Sequence, residues 1–120
     1  ERTQISDAVV ATGFPYAAGD VIPQLTKIFE YFLKNGKGIR RLGSAAIDLA
    51  YVACGRFDIY YETTLNPWDI AAGILLVEEA GGKVSDFGGR SGMLENGQVL
   101  AGPQALHNAT SAEIQRIFGA

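Results

Sequence analysis

The pattern of apolar and polar positions predicts short buried strands alternating with amphipathic helices. Apolar residues at 8–11 precede a turn at Gly13-Phe14-Pro15 and predict a first strand. Residues 21–33 then carry apolar side chains at helical spacing, with Asp20 available to cap the start and Asn35-Gly36 to end the helix. The chain therefore opens with a strand followed by a long helix.

The central segment repeats this strand-helix order. A second strand is predicted over 39–42, and Gly43-Ser44 then opens a helix that Gly55 stops, with Ser44 as its N-cap. Cys54 continues the apolar pattern of that helix, so we expect a buried, reduced thiol. The apolar stripe of the helix is formed by Ala46, Leu49, Ala50 and Ala53.

The next segment predicts a strand with two distinct faces, followed by a helix with clear ends. Asn66 as N-cap and Pro67 at the first helical position begin a helix that runs to about Ala80, where Gly81-Gly82 ends it. Strand residues 57–62 alternate, so that Phe57, Ile59 and Tyr61 face one way while Asp58, Tyr60 and Glu62 face the other.

The remaining residues predict two more strands and a final helix. The strands cover 84–87 and 99–101, the Gly-rich turn 88–92 separates them, and the helix follows Thr110 with Glu113 completing a capping box. Strands alternating with helices indicate a single α/β domain over 1–120, with a mostly parallel five-stranded sheet flanked by helices. Ligands of such sheets gather at the carboxyl ends of strands, which selects Gly43 to Ala45, Glu62, and Asn66 to Asp69.

Composition narrows the classes of function. The chain has 120 residues, of which 48% are hydrophobic, and a net charge of −3 gives no basic surface for nucleic acid. The apolar run 70–77 falls well short of the roughly 20 residues that a membrane span requires. A single cysteine forms no internal disulfide, so we expect a cytoplasmic protein in a reducing environment.

Asp69 is the strongest candidate for chemistry. As an acidic residue in the first turn of a helix it stabilises the helix dipole by roughly 0.3–1 kcal/mol. Position alone favours that role, but the carboxylate also suits Mg²⁺, which binds proteins through one or two carboxylates plus substrate phosphate. Trp68 beside it is interpreted as a packing anchor. Arg40 and Arg41 could meet a substrate phosphate, a partner subunit or solvent, and contact with a subunit or with solvent is favoured. Ser44 is a helix cap rather than a nucleophile, because the only histidine is distant in the chain.

Four segments in this order resemble the inositol monophosphatase family. The segment Pro67-Trp68-Asp69-Ile70-Ala71-Ala72-Gly73, followed by Glu79-Ala80-Gly81-Gly82, is similar to the second signature of the family. Residues 43–46, 48–53 and 55–58 look like the segment that precedes this signature, and residues 11–16 also have a counterpart. The resemblance covers essentially the whole chain.

The resemblance implies a lithium-sensitive, Mg²⁺-dependent phosphomonoesterase, with Mn²⁺ as a substitute for Mg²⁺ and Li⁺ as an inhibitor. By this resemblance Asp69 binds the metal and Glu62 contacts a substrate hydroxyl. Gly43, Ser44 and Ala45 shape the pocket wall that meets the substrate, which is an inositol monophosphate or another polyol or sugar phosphate. These are the places that the strand-end rule selects independently.

The chain resembles the carboxyl half of such a phosphatase. The family's metal cluster also draws on a Glu and an Asp-Pro-Asp-Gly-Thr-like loop in the amino half, and no Asp-Pro dipeptide occurs here. We therefore expect no turnover from this chain alone, and self-association through the surface that the amino half covers. The alternative is a non-catalytic α/β protein-interaction module, in which the same residues serve as caps and core.

Overall fold

A computed structural model describes residues 3–13 and 21–119 as a sheet with helices on both faces. The predicted turn residues Phe14 and Pro15 and the capping residue Asp20 lie outside the described residues. In chain order the elements are a 3-10 turn Ile5–Asp7, β1 Val9–Thr12, α1 Ile22–Asn35, β2 Gly38–Arg40, α2 Ala45–Ala53, β3 Ile59–Glu62, α3 Pro67–Glu79, β4 Lys83–Ser85, α4 Met93–Asn96, β5 Val99–Gly102 and α5 Gln104–Gly119.

The five strands form one mixed sheet in the order β2-β1-β3-β5-β4. Strand β1 runs parallel to both β2 and β3, whereas β5 runs antiparallel to both β3 and β4. Four strands therefore share one direction, and the predicted five-stranded α/β fold is confirmed. The reversed β5 follows a connection, residues 86–98, that contains the short α4.

Both faces of the sheet are covered, and successive residues of β3 point into different cores. Tyr60 lies in the core between the sheet and α2 and α3, while Ile59 and Tyr61 lie in the core beneath α1 and α5. The predicted alternation along β3 is correct for these residues. Phe57 was placed on the wrong face, because it precedes β3 and packs in the same core as Tyr60.

Local sequence signals correctly predict where α2 and α3 begin. Ser44 caps α2, its Oγ accepting a hydrogen bond from the Ile47 N–H at 3.3 Å, and Pro67 begins α3 as predicted. Within α2, Leu49 is fully buried but Ala46 is exposed, so the predicted apolar stripe is only partly correct. Cys54 is exposed rather than buried, because it follows the last turn of α2.

The last helix begins seven residues earlier than predicted. It starts at Gln104, directly after Pro103, so Thr110 is buried in its interior and is not a cap. Leu106 and Ile114 both pack on the sheet, and the shared apolar face extends the helix through the position that resembled a capping box. Tertiary packing therefore overrides the local capping signal.

Asp86 organises the Gly-rich turn after β4. Its Oδ1 accepts hydrogen bonds from the Gly88 and Arg90 N–H groups at 3.0 and 2.8 Å, and its Oδ2 accepts one from Asn96 Nδ2 at 3.0 Å. These bonds satisfy backbone donors that the turn would otherwise leave unpaired. The turn 88–92 is therefore a structural connection, as the sequence predicts.

A close contact between α2 and α3 sets the distance between these helices. A Cβ atom built on Gly73 would lie 2.6 Å from both Cβ and Cδ1 of Leu49, which is fully buried. Only glycine allows this approach. Within the residues that the structure describes, α3 and every other helix are too short or too polar to cross a membrane.

We predict that Gly73→Ala destabilises the chain by about 1–3 kcal/mol, because the added methyl group overpacks against Leu49. Helix propensity alone would give a gain of about 0.5–1 kcal/mol, so the two effects differ in sign. Urea unfolding measures the change, with Ala72→Gly, an exchange at the exposed neighbouring position, as the propensity control. A Gly73→Ala chain as stable as the wild type would contradict the close contact.

Candidate functional site

A cavity of about 420 Å³ opens where β1, β2 and β3 end and where α2 and α3 begin. The five residues predicted from the sequence, Gly43, Ser44, Ala45, Glu62 and Asp69, all line it. The structure thus brings together residues that are up to 26 positions apart in the chain. Its other lining residues are Gly13, Arg41, Ala46, Leu65 and Trp68.

Asp69 has a structural role at the start of α3 in addition to lining the cavity. Its Oδ2 accepts a hydrogen bond from the Asn66 N–H at 3.1 Å, which satisfies a donor at the helix start. The side chain is half-buried. The capping bond uses one oxygen and fixes the carboxylate beside the cavity, so that Oδ1 remains for another ligand.

The N-terminus of α2 forms the opposite wall. Gly43 has a φ of +82°, a left-handed conformation that favours glycine and turns the chain from β2 into the helix. Ser44 then caps the helix, and Ala45 is its first residue. The N–H groups of this first turn are donors available to an anionic or hydroxyl oxygen.

Glu62 stands at the end of β3 and is held by a tyrosine on the same strand face. The Tyr60 hydroxyl donates to Glu62 Oε1 at 2.6 Å, as expected for residues two apart on a strand. Burial raises the pKa of Glu62 above its ordinary value, while the Tyr60 bond and the nearby Arg41 oppose the rise. Burial and the Glu62 charge raise the pKa of Tyr60 far above its usual range, so its hydroxyl stays a donor.

Two site residues differ from their interpretation in the sequence. Trp68 is 78% exposed and lines the cavity, so among the described residues it is not a packing anchor. Arg41 lines the cavity too and interacts electrostatically with Glu62, rather than only with solvent. Arg40 is exposed and donates to its own neighbour, the Ile39 carbonyl oxygen, at 3.0 Å.

The loop between Glu62 and Asp69 is conformationally constrained. Thr64 adopts a φ of +64°, which a β-branched side chain rarely does. The Leu65 N–H donates to the Gly97 carbonyl oxygen at 3.1 Å, and a Cβ on Gly97 would lie 2.6 Å from the Leu65 oxygen. The strained turn is therefore held by close backbone packing, a pattern that is common at functional sites.

A buried carboxylate lies behind the cavity. Asp48, one turn into α2, has no solvent exposure, and neither of its oxygens has a hydrogen-bond partner among the described residues. Burial and the charge of Glu62 raise the pKa of Asp48 to about 6. In the sequence this residue stands out only as part of the segment 48–53 that resembles the family, because its position in α2 otherwise fits any solvent-facing helical acid.

The described residues supply part of a metal site at most. Residues 3–13 and 21–119 contain no group of three His, Cys, Asp or Glu side chains that could hold a metal ion. Asp69 provides one hard carboxylate oxygen at the cavity, which suits Mg²⁺ as a single ligand. His107 is no alternative, because it is buried and pairs through Nε2 with Ser85 Oγ at 2.7 Å.

A second cavity, of about 440 Å³, lies at the opposite edge of the sheet, where α2 and α3 end. Its walls are mostly apolar side chains and glycines, including Val52, Phe57, Gly82 and Gly102. It joins no helix N-terminus to a pair of carboxylates. The candidate site is therefore the cavity that contains Glu62 and Asp69.

The chain belongs to the inositol monophosphatase family, whose model matches residues 1–118. This family comprises phosphomonoesterases. The chain is 42% identical over 123 residues to the inositol-1-monophosphatase of Mesorhizobium japonicum, covering 99% of this chain and 45% of that protein. It is also 42% identical over 116 residues to Nus factor SuhB of Pseudomonas aeruginosa, covering 95% of this chain and 43% of the relative.

Solved structures show the same fold. The extragenic suppressor protein suhB from Bartonella henselae matches with a TM-score of 0.89 and 38% identity, over 95% of this chain and 43% of that one. Inositol monophosphatase from Anabaena matches with a TM-score of 0.86 and 35% identity, over 97% of this chain and 48% of that one. The chain thus spans less than half the length of these relatives.

We predict that Asp48→Asn stabilises the chain at about pH 7, by up to about 3 kcal/mol. The pKa of Asp48 is raised from 3.8 to about 6 on folding, so the folded state binds more protons between these values. The stabilisation that comes from protonated Asp48 in the folded wild type is fully present below pH 3.8. It is lost as the pH rises through about 6.

Urea unfolding across this pH range tests the prediction. The advantage of Asp48→Asn should disappear at acid pH, where the wild-type carboxyl is protonated. Asp7→Asn, at an exposed acid, is the control for the loss of a carboxylate. Equal stability of the wild type and Asp48→Asn at about pH 7 would show that Asp48 is not destabilised by burial.

Proposed function

We propose that this chain supplies the polyol-binding wall and one metal ligand of a Mg²⁺-dependent phosphomonoesterase site. The observation that carries the proposal is the convergence of Asp69, Glu62 and the α2 N-terminus on one cavity. Family membership supports the reaction class, and the relative named inositol-1-monophosphatase supports an inositol monophosphate or related polyol or sugar phosphate as substrate.

Each group has a defined task in this proposal. Asp69 contributes a carboxylate oxygen to Mg²⁺ while its other oxygen maintains the helix start. Glu62 accepts a hydrogen bond from a substrate hydroxyl, and the N–H groups at the start of α2 face the polyol. When bound, Mg²⁺ supplies Lewis-acid polarisation of the phosphoryl group and stabilises charge on the leaving oxygen. Mn²⁺ substitutes for it, and Li⁺ inhibits.

The remaining ligands come from an amino-terminal half like that of the longer relatives. Helix α3 supports such a partner, because its outward face exposes Trp68, Leu75 and Leu76 at 78%, 58% and 51%. The opposite face of α3, with Ile70 and Val77, is buried against the sheet. Large apolar side chains on both the inward and the outward face are typical of a helix that is enclosed. Without that half, the same face promotes homo-oligomers.

The second candidate is a protein-interaction module without catalysis. Its support is the absence of a metal-binding cluster from the described residues, together with the exposed apolar face of α3. The Pseudomonas aeruginosa relative is named a Nus factor rather than a phosphatase. In this alternative Asp69 serves only as a helix cap.

Metal titration separates the two candidates. We predict that Mg²⁺ or Mn²⁺ binds the chain weakly and that Asp69→Asn weakens this binding by about tenfold or more. Asparagine keeps an acceptor for the Asn66 N–H, so the fold is preserved while the anionic ligand is lost. Isothermal titration calorimetry measures both, with Asp7→Asn as an exposed-acid control. Wild-type protein that releases no binding heat would favour the interaction module.

Reassembly tests catalysis. We predict no hydrolysis of inositol monophosphate by the 120-residue chain alone, and Mg²⁺-dependent hydrolysis when it is joined to the amino-terminal half of the Mesorhizobium japonicum relative. Asp69→Asn in the joined protein should lower kcat/KM by about 100-fold or more. Phosphate release measures turnover. Metal-dependent hydrolysis by the isolated chain would overturn the requirement for an amino half.

A further inference from the structure

Glu62 is held from two sides by two uncharged residues, Tyr60 and Gly13. On one side the buried Tyr60 hydroxyl donates to Oε1 at 2.6 Å. On the other, a Cβ built on Gly13 would lie 2.4 Å from Cδ and Oε2 and 2.5 Å from Oε1. The carboxylate therefore lies directly against the backbone at the end of β1.

The backbone conformation does not require a glycine at position 13. Gly13 is not among the glycines with positive φ, so an alanine is conformationally permitted there. The space that its missing side chain leaves is occupied by the Glu62 carboxylate. Gly13 is thus a steric requirement of Glu62, and it lines the same cavity.

The hydrogen bond from Tyr60 distinguishes the two carboxylate oxygens of Glu62. Its phenol is fully buried and donates a charge-assisted hydrogen bond to Oε1, which locks the side-chain torsions of Glu62. Tyr61, the next residue, points into the other core, where its ring stacks on Phe32. Tyr60 and Tyr61 therefore form a natural pair of test and control positions.

We propose that Tyr60 and Gly13 are positioning residues that orient Glu62 so that one oxygen, Oε2, accepts a single substrate hydroxyl. The inference rests on the proposed function and specifies its substrate class. The site recognises a phosphate monoester by one hydroxyl on the alcohol group, and it does not require a pair of hydroxyls to bind both carboxylate oxygens. Loss of the orientation reduces selectivity for hydroxylated substrates more than it reduces turnover.

The first experiment needs no catalysis. In proton NMR spectra of the 120-residue chain, the Tyr60 hydroxyl should give a slowly exchanging downfield resonance. It should be absent from Tyr60→Phe, present in Tyr61→Phe, and shifted upfield in Glu62→Gln, whose neutral acceptor bonds more weakly. A resonance that is unaffected by Glu62→Gln would overturn the positioning of Glu62 by Tyr60.

The second experiment uses the chain joined to the relative's amino half. The ratio of kcat/KM for inositol monophosphate to that for cyclohexyl phosphate, which lacks hydroxyls, measures recognition by Glu62. Tyr60→Phe and Gly13→Ala should each lower this ratio about tenfold, mainly through KM for inositol monophosphate. Tyr61→Phe should leave it unchanged, and Glu62→Gln should lower it most.

The outcomes distinguish a failure of the positioning role from a failure of the proposed function. An unchanged ratio in both Tyr60→Phe and Gly13→Ala, with active enzyme, would overturn the positioning role while leaving the proposed function intact. An equal fall in Tyr61→Phe would indicate a general structural effect and would overturn it as well. A joined wild-type protein that hydrolyses neither substrate would overturn the proposed function and the substrate class with it, while the NMR result still decides how Glu62 is held.

Discussion

The close approach of α2 to α3 is the contact on which the candidate site depends. Leu49 occupies the space that a side chain at position 73 would need, so the two helices pack at a distance that only glycine permits. Both helices begin at the same edge of the sheet, and their spacing sets the separation of the Ser44 cap from Asp69. A packing constraint in the core thereby determines the width of a polar cavity.

The buried acidic groups behind the cavity lower the stability of the fold. Asp48, Tyr60 and Glu62 place two carboxyl groups and a phenol in or beside the core, and burial raises the pKa of each. Burying acidic groups without full hydrogen-bonding costs free energy, which an apolar core would avoid. The Tyr60–Glu62 bond and the nearby Arg41 offset part of this cost. Such a concentration of perturbed groups beside a cleft is typical of functional sites.

The outward face of α3 connects the fold with the length of the relatives. Its exposed Trp68, Leu75 and Leu76 continue away from the cavity along one side of the helix. The chain spans under half the length of these relatives. The exposed surface and the single candidate metal ligand, Asp69, both fit the proposal that an amino-terminal half packs on this side. A partner that covers α3 also reaches the cavity, since Trp68 belongs to both surfaces.

Local sequence signals were sufficient for the strand-helix order apart from the short α4, for the Ser44 cap, for the start of α3 at Pro67 and for the edge of the sheet where the candidate site residues gather. These features depend on neighbouring residues, whose hydrogen bonds and backbone preferences act over a few positions. The same signals misplaced the start of α5 and the exposure of Cys54 and Trp68, because burial depends on what packs against a residue rather than on its neighbours in the chain.

The sequence by itself determined a five-stranded α/β domain of the inositol monophosphatase family, with Asp69, Glu62 and Gly43 to Ala45 as candidate site residues. Only the tertiary structure decided that β5 runs antiparallel, that Asp48 is buried with no hydrogen-bond partner among the described residues, and that Gly13 and Tyr60 enclose Glu62. Gly13 and Glu62 are 49 residues apart, and no local pattern encodes that contact. It arises because parallel pairing of β1 with β3 brings their carboxyl ends to the same edge of the sheet.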